Sequence, residues 1–117
     1  MLNPKTTKCV ILDDKNTLSY GDLPLEEVGV DQVLVKVHSA AINPSDVMFT
    51  QGLYGTQKTK PCVPGLEGSG TVVSGGSSDK SKALIGKNVC FFASGENTKG
   101  SWGEYTVLSN DSVYPLP

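Results

Sequence analysis

The sequence predicts a mainly β fold, a small and partly open barrel with one short helix. Short segments rich in β-branched and aromatic residues recur along its 117 residues, and turn signals separate them at close spacing. The clearest is segment 32–38, QVLVKVH, whose valines alternate as they would on one face of a strand. Only one segment carries both start and stop signals for a helix. About six short strands with a single helix are typical of a small barrel.

Strands are predicted wherever β-forming residues lie between turn residues. In chain order they are 6–12, 17–23, 32–38, 71–73, 88–93, 102–108 and 113–116.

Three segments are predicted as connections. Segment 61–70, PCVPGLEGSG, carries two prolines that block regular pairing and three glycines that permit close backbone approach, so it reads as a site-building loop. Segment 74–82 lacks a nucleotide-binding glycine pattern and a helical period, which favours a solvated hairpin connection. Segment 94–101 is a polar loop.

The helix is predicted over residues about 44–51. Asn43 suits the N-cap, Pro44 the first helical position, and Asp46 the positive end of the helix dipole. Gly52 supplies the stop.

The bulk composition excludes several classes of protein. With 12 acidic and 10 basic residues, the chain has no basic excess to attract nucleic acid or an anionic membrane. No apolar run approaches the ~20 residues that span a bilayer, and the first residues lack a secretory signal. A cytoplasmic protein is expected, or a mitochondrial one if a segment precedes this chain. Three cysteines without C-x-x-C spacing favour reduced, buried thiols.

Five motifs follow one another in the order INPSD, QGLY, VPGLEGSGTVV, GKNVCFF and GSWGEYTVL. In this order they resemble the N-terminal GroES-like catalytic domain of the medium-chain dehydrogenase/reductase superfamily, over nearly the whole chain. INPSD with QG-x-Y and GSW is similar in particular to the zinc-independent quinone oxidoreductases and 2-enoyl thioester reductases. The resemblance implies one GroES-like domain over residues 1–117. It also implies NADPH-dependent reduction of a small conjugated carbonyl, either a quinone or a 2-enoyl thioester.

The resemblance also predicts what this chain lacks. Zinc-dependent members place a cysteine where this chain has Asn43, Pro44 and Ser45, and a histidine where it has Leu66, so no zinc is expected. Glu67 retains a carboxylate there, and its expected role is to accept backbone hydrogen bonds in a glycine-rich turn.

A second expected absence is the nucleotide-binding half. The family's Rossmann domain, which binds most of NADPH, begins downstream of the VYPLP segment, and this chain stops at Pro117. We therefore expect a fragment that is inactive alone and whose partner is the Rossmann domain. A homodimer is one expected assembly of the full-length protein. The rival interpretation is a GroES-like binding or co-chaperone module without enzymatic activity.

Candidate site residues follow from the resemblance. Tyr54, just past the helix, falls on the family tyrosine and is the predicted catalytic acid, because a phenol stays protonated at neutral pH. In quinone reduction it would only orient the substrate. Asn43 and Asp46 are predicted to contact the cofactor, although helix capping alone would explain both. Trp102 is predicted to wall the substrate pocket, with a core position as the alternative. His38 receives no chemical role.

Overall fold

The computed structural model of this chain describes residues 3–54, 57–93 and 99–117. Its elements in chain order are β1 Thr6–Leu12, β2 Leu18–Pro24, β3 Gln32–Ala40, α1 Pro44–Thr50, β4 Glu67–Gly75, α2 Asp79–Leu84, β5 Asn88–Phe92, β6 Tyr105–Ser109, a 3₁₀ turn Asn110–Ser112, and β7 Val113–Pro115.

Two antiparallel sheets make up the fold. β1 and β2 form a hairpin, and the second sheet has five strands in the order β6-β3-β4-β5-β7. Isolated bridges from Cys9 to Gly103 and from Leu12 to Cys62 join the hairpin to the rest of the chain. The described strands do not close into a complete barrel. The prediction of a mainly β, partly open fold with a short helix near 44–51 is confirmed.

The main core lies under the inner face of the five-stranded sheet. Its buried members are Val33, Val35, Val72, Leu84, Val89, Phe91, Ala93, Leu108 and Val113. The predicted face of β3 is correct, because Val33 and Val35 are fully buried and Val37 packs against the cluster. Leu34 is buried as well, whereas Lys36 and His38 are exposed.

Segment 74–82 begins the connection between β4 and β5, which pair antiparallel as the predicted hairpin connection requires, but it is not a plain loop, because the helix α2 begins at Asp79. The Ser78 hydroxyl caps this helix by accepting from the Ser81 amide at 3.2 Å. α2 has only 6 residues, which is less than two turns and too short to show a helical period.

β4 is longer than the predicted strand 71–73, because it already begins at Glu67. The loop prediction for 61–70 therefore fails over its last residues. Gly68 and Gly70 lie inside the strand, where neighbouring backbones leave no room for a side chain. A Cβ atom on Gly70 would lie 2.2 Å from the Lys36 carbonyl oxygen.

The three cysteines are free thiols. Cys9 and Cys62 are buried, and burial raises the pKa of each thiol. Cys90 is only half-buried, at the outer face of the sheet. In the predicted polar loop 94–101, residues 94–98 lie outside the described residues. Within the described ranges, no helix has the length and apolar character needed to cross a membrane.

Candidate functional site

The Asp46 carboxylate joins two segments that lie far apart in the sequence. It is fully buried in the first turn of α1, where its Oδ2 accepts from the Asn43 backbone amide at 2.7 Å. Its Oδ1 accepts from the Leu66 amide at 3.1 Å. Hydrogen bonds to a carboxylate are stronger than those to a neutral acceptor. Asp46 therefore fixes the start of α1 against the start of β4.

Asn43 and Glu67 meet at this junction. The Asn43 side chain donates from Nδ2 to Glu67 Oε1 at 3.1 Å, and the Ala41 backbone amide approaches the Glu67 carbonyl oxygen at 3.4 Å. Among the described residues, the Glu67 carboxylate accepts from the Asn43 side chain and not from a backbone amide, so its expected role as an acceptor of backbone hydrogen bonds is not what this part of the chain shows. The two residues are 24 positions apart, so no local pattern could reveal the pair.

A cleft of about 460 Å³ opens beside this pair on the outer face of the five-stranded sheet, and we call it the Glu67 cleft. It is lined by Ser39, Ala40, Ala41, Glu67, Gly68, Ser69, Cys90, Phe91 and Phe92. Glu67 and Phe92 are cross-strand partners in β4 and β5, so their side chains stand next to each other on one face. The Phe92 ring is about half-exposed and meets Tyr114 edge to face at a centroid distance of 6.3 Å. The cleft therefore has small residues, one carboxylate and an aromatic wall.

A buried lysine belongs to the same region. The Lys58 ammonium donates to the Ala93 carbonyl oxygen at 2.8 Å, and burial lowers the pKa of Lys58 to about 8. Asp46 and Cys62 oppose that shift electrostatically, and Lys99 adds to it. In the sequence Lys58 is simply a basic residue in a loop. No sequence signal distinguishes it from the neighbouring Lys60.

The predicted site residues do not all meet in one place. Asn43 and Asp46 come together at the start of α1, as described above. Tyr54 follows α1 with about a third of its surface exposed, and it is not among the residues lining the Glu67 cleft. Its described contact is a hydrogen bond from Gln57 Nε2 to its own carbonyl oxygen at 2.7 Å.

Trp102 lines a second, shallower cleft of about 320 Å³. That cleft and the Glu67 cleft share Ser39 and Ala40, so the end of β3 forms a ridge between them. The indole Nε1 donates to the Ala41 carbonyl oxygen at 3.0 Å, which fixes the ring against this ridge. The roles of Asn43, Asp46, Tyr54 and Trp102 in binding or catalysis stay predictions.

The positions at which the resemblance implies zinc ligands carry other residues in this chain. Segment 43–45 and Leu66 stand where the family resemblance implies zinc ligands, and the Leu66 side chain has no donor atom. Across residues 3–54, 57–93 and 99–117, no cluster of three or more His, Cys, Asp or Glu could hold a metal ion.

Comparison with known proteins places this geometry in a family. The family described as "Alcohol dehydrogenase GroES-like domain" matches residues 29–117. The chain therefore belongs to the GroES-like domain family that forms the N-terminal part of medium-chain dehydrogenases/reductases.

Individual relatives are oxidoreductases. The chain is 30% identical over 93 residues to a quinone oxidoreductase of Sus scrofa, covering 74% of this chain and 25% of that protein. It is 35% identical over 100 residues to a mitochondrial enoyl-[acyl-carrier-protein] reductase of Caenorhabditis elegans, covering 86% of this chain and 27% of that protein. The chain thus spans about a quarter of the length of these relatives.

Solved structures give the same result. A protein of Mesorhizobium loti assigned as an NADPH:quinone reductase superposes with a TM-score of 0.88 at 36% identity, over 100% of this chain and 38% of that chain. A quinone oxidoreductase of Coxiella burnetii superposes with a TM-score of 0.77 at 27% identity, over 95% and 37% of the two chains.

Proposed function

We propose that the full-length protein carrying this domain is a zinc-independent, NADPH-dependent oxidoreductase that reduces a conjugated carbonyl, either a quinone or a 2-enoyl thioester. The observation that carries the proposal is the junction at Asp46. It joins the INPSD and PGLEG segments, and through the Asn43–Glu67 hydrogen bond it fixes Glu67 in the lining of a cleft. The similarity to quinone and enoyl reductases supports the same chemistry.

The residues of the Glu67 cleft fit the nicotinamide end of the cofactor. Small side chains at Ala40, Ala41 and Gly68 leave room for a flat ring, and the Asn43 amide holds the Glu67 carboxylate in place beside them. None of the described lining residues is a cation that would bind phosphates. In this proposal a Rossmann domain holds the phosphates, as the family resemblance implies. The 117-residue chain alone should then bind dinucleotide too weakly to measure.

NADPH supplies a hydride when bound. A quinone takes up that hydride and one proton to give the hydroquinone and NADP⁺. An enoyl thioester takes the hydride at Cβ and a proton at Cα, and the negative charge on its carbonyl oxygen must be stabilised in between. In the proposed reaction the Tyr54 hydroxyl gives that proton or hydrogen-bonds the oxygen.

Exposed apolar side chains support a partner domain over this face. Ile42 is 75% exposed beside the cleft, and Phe92, Tyr114 and Leu116 are each about half-exposed along β5 and β7. A cofactor domain packed here would cover Ile42, Tyr114 and Leu116 and exclude water from the cleft, and the face of Phe92 that lines the cleft would stay open to a bound ligand.

The experiment that tests the assigned roles is Tyr54→Phe in the full-length protein, assayed with an enoyl thioester and a quinone. The substitution keeps the ring and deletes the proton, so folding should change little. With the enoyl thioester, kcat should fall by ~10²–10⁴-fold, the usual contribution of general acid catalysis. With the quinone the loss should be much smaller, because no carbon is protonated.

Two results would count against these assignments. An enoyl-reductase kcat within about threefold of wild type would remove Tyr54 from the catalytic residues. Wild-type protein that oxidises NADPH with neither substrate would contradict the proposed function itself.

A further inference from the structure

The Glu67 cleft combines a single charge with an aromatic wall. Glu67 is the one charged residue among its described lining residues, and all the others are small, apolar or uncharged. Phe92 stands beside Glu67 across the β4–β5 pairing, and the edge contact with Tyr114 supports its ring. A flat, conjugated ligand could therefore stack on Phe92 only within a few ångströms of the carboxylate.

The position of this carboxylate is fixed by its surroundings. Asn43 Nδ2 donates to its Oε1 at 3.1 Å, and the Asn43 backbone is held in turn by Asp46 at 2.7 Å. Glu67 is also the first residue of β4, paired with Phe92 of the neighbouring strand. It cannot swing away from a ligand without giving up the Asn43 hydrogen bond.

Of the charged side chains near the Glu67 cleft discussed above, Glu67 is the one that lines it. Asp46 and Lys58 are both buried, carry opposite charges and interact with each other, and neither lines the cleft. Glu104 is a carboxylate of a different cleft, because it lines the Trp102 cleft across the ridge at Ser39 and Ala40.

We propose that Glu67 determines the charge selectivity of the reaction, so that uncharged planar acceptors are accepted and anionic ones are disfavoured. An anionic group placed beside a fixed carboxylate, partly shielded from water, is repelled with an energy that strongly weakens binding. This proposal rests on the proposed function, because it concerns the acceptor that is reduced at the same cleft.

The test compares a neutral naphthoquinone with its sulfonate in the full-length wild type, Glu67→Gln and Glu104→Gln. The measured quantity is the ratio of kcat/KM for the two quinones. Because both quinones are assayed with the same enzyme preparation, the ratio does not depend on the fraction of folded enzyme. When the ratios of two variants are compared, the intrinsic reactivity of each quinone also drops out. Glu67→Gln should improve the sulfonate relative to the neutral quinone by about tenfold, mostly through KM. Glu104→Gln should change the ratio by less than about twofold.

A second measurement uses the wild type and needs no stable variant. The ionic strength is raised from about 0.02 to about 0.5 M, because the screening length is ~10 Å at 0.1 M and shortens as salt is added. This change should raise kcat/KM for the sulfonate but not for the neutral quinone. In Glu67→Gln this salt effect should be lost.

Each outcome supports or overturns the proposal. An unchanged ratio in Glu67→Gln, or an equal change in Glu104→Gln, would overturn the role of Glu67 while leaving the proposed function intact. A sulfonate that gains nothing from salt in the wild type would do the same. Wild-type protein that reduces neither quinone would instead contradict the proposed function, and the charge selectivity would fall with it.

Discussion

The core under the five-stranded sheet and the cluster at the start of α1 are held together by opposite means. The sheet core consists of apolar side chains such as Val33, Val72 and Phe91, which need only shape and water exclusion. The second region, which we call the polar cluster, consists of Asn43, Asp46, Lys58 and Glu67. Each of its members is held by a hydrogen bond across the chain.

The difference shows where this domain gains stability and where it gains geometry. Burying an apolar side chain is favourable at almost any orientation, with a strength of roughly 25 cal/mol per Å². Burying a carboxylate or an ammonium is unfavourable unless specific partners compensate it. The polar cluster therefore contributes less net stability than the core, but it fixes the positions of the groups beside the Glu67 cleft.

The largest expected effect is in the sheet core. Phe91→Ala removes a ring that is 1% exposed and should lower the free energy of unfolding by about 3–5 kcal/mol. Phe92→Ala, its sequence neighbour, removes a half-exposed ring and should cost about 1 kcal/mol or less. Urea unfolding of both variants measures the two losses. Equal losses would mean that the two faces of β5 do not differ in burial as the structure shows.

The next effect concerns the polar cluster. Asp46→Asn keeps the shape but leaves one acceptor oxygen for two backbone amides, Asn43 N and Leu66 N. The loss should be about 2–3 kcal/mol, from one weakened and one unsatisfied hydrogen bond. The matched control is Asp79→Asn in the first turn of α2, where an exposed carboxylate adds below about 1 kcal/mol. If Asp46→Asn left the free energy of unfolding unchanged, the two hydrogen bonds to Asp46 would do no more than offset the cost of burying its charge.

The two regions also differ in how far the sequence predicts them. The buried face of β3 is predictable, because the strand period places Val33, Val35 and Val37 on one side. The start of α1 is predictable too, because N-cap, proline and acidic residue are adjacent. These features depend on local periodicity and capping, which short stretches of sequence record.

The contacts of the polar cluster are not predictable in this way. Asn43 and Glu67 are 24 residues apart, and Lys58 and Ala93 are 35 apart. The Asn43–Glu67 contact depends on the register of β3 with β4 and on where β4 begins, and the glycine-rich start of β4 favours a loop over a strand in the sequence. The Glu67 cleft therefore became visible only with the fold.

The smallest expected effect is the pH dependence that Lys58 brings to stability. Burial lowers the pKa of Lys58 to about 8, whereas an unfolded lysine titrates near ~10.4. As pH rises between these values, the folded protein loses the proton that the unfolded chain still holds. Stability should therefore rise with pH through this window, and the contribution should be constant only well below pH 8, where both states keep the proton. The gain should reach about 2 kcal/mol by pH 9.5, measured as the difference in unfolding free energy between wild type and Lys58→Met.

The measurement reports the titration of Lys58 alone when both the reference protein and the Lys58→Met variant also carry Cys62→Ala. Burial raises the pKa of the Cys62 thiol and Lys58 lowers it, so the thiol would otherwise titrate differently in the two proteins. Lys60→Met, in the same loop, controls for the loss of any lysine there. A difference that stays flat from pH 7 to 9.5, a range chosen to span the window, would show that Lys58 keeps its proton in the folded state. The polar cluster would then hold a fully charged ammonium, and its hydrogen bond to Ala93 would offset more of the cost of burial than the lowered pKa implies.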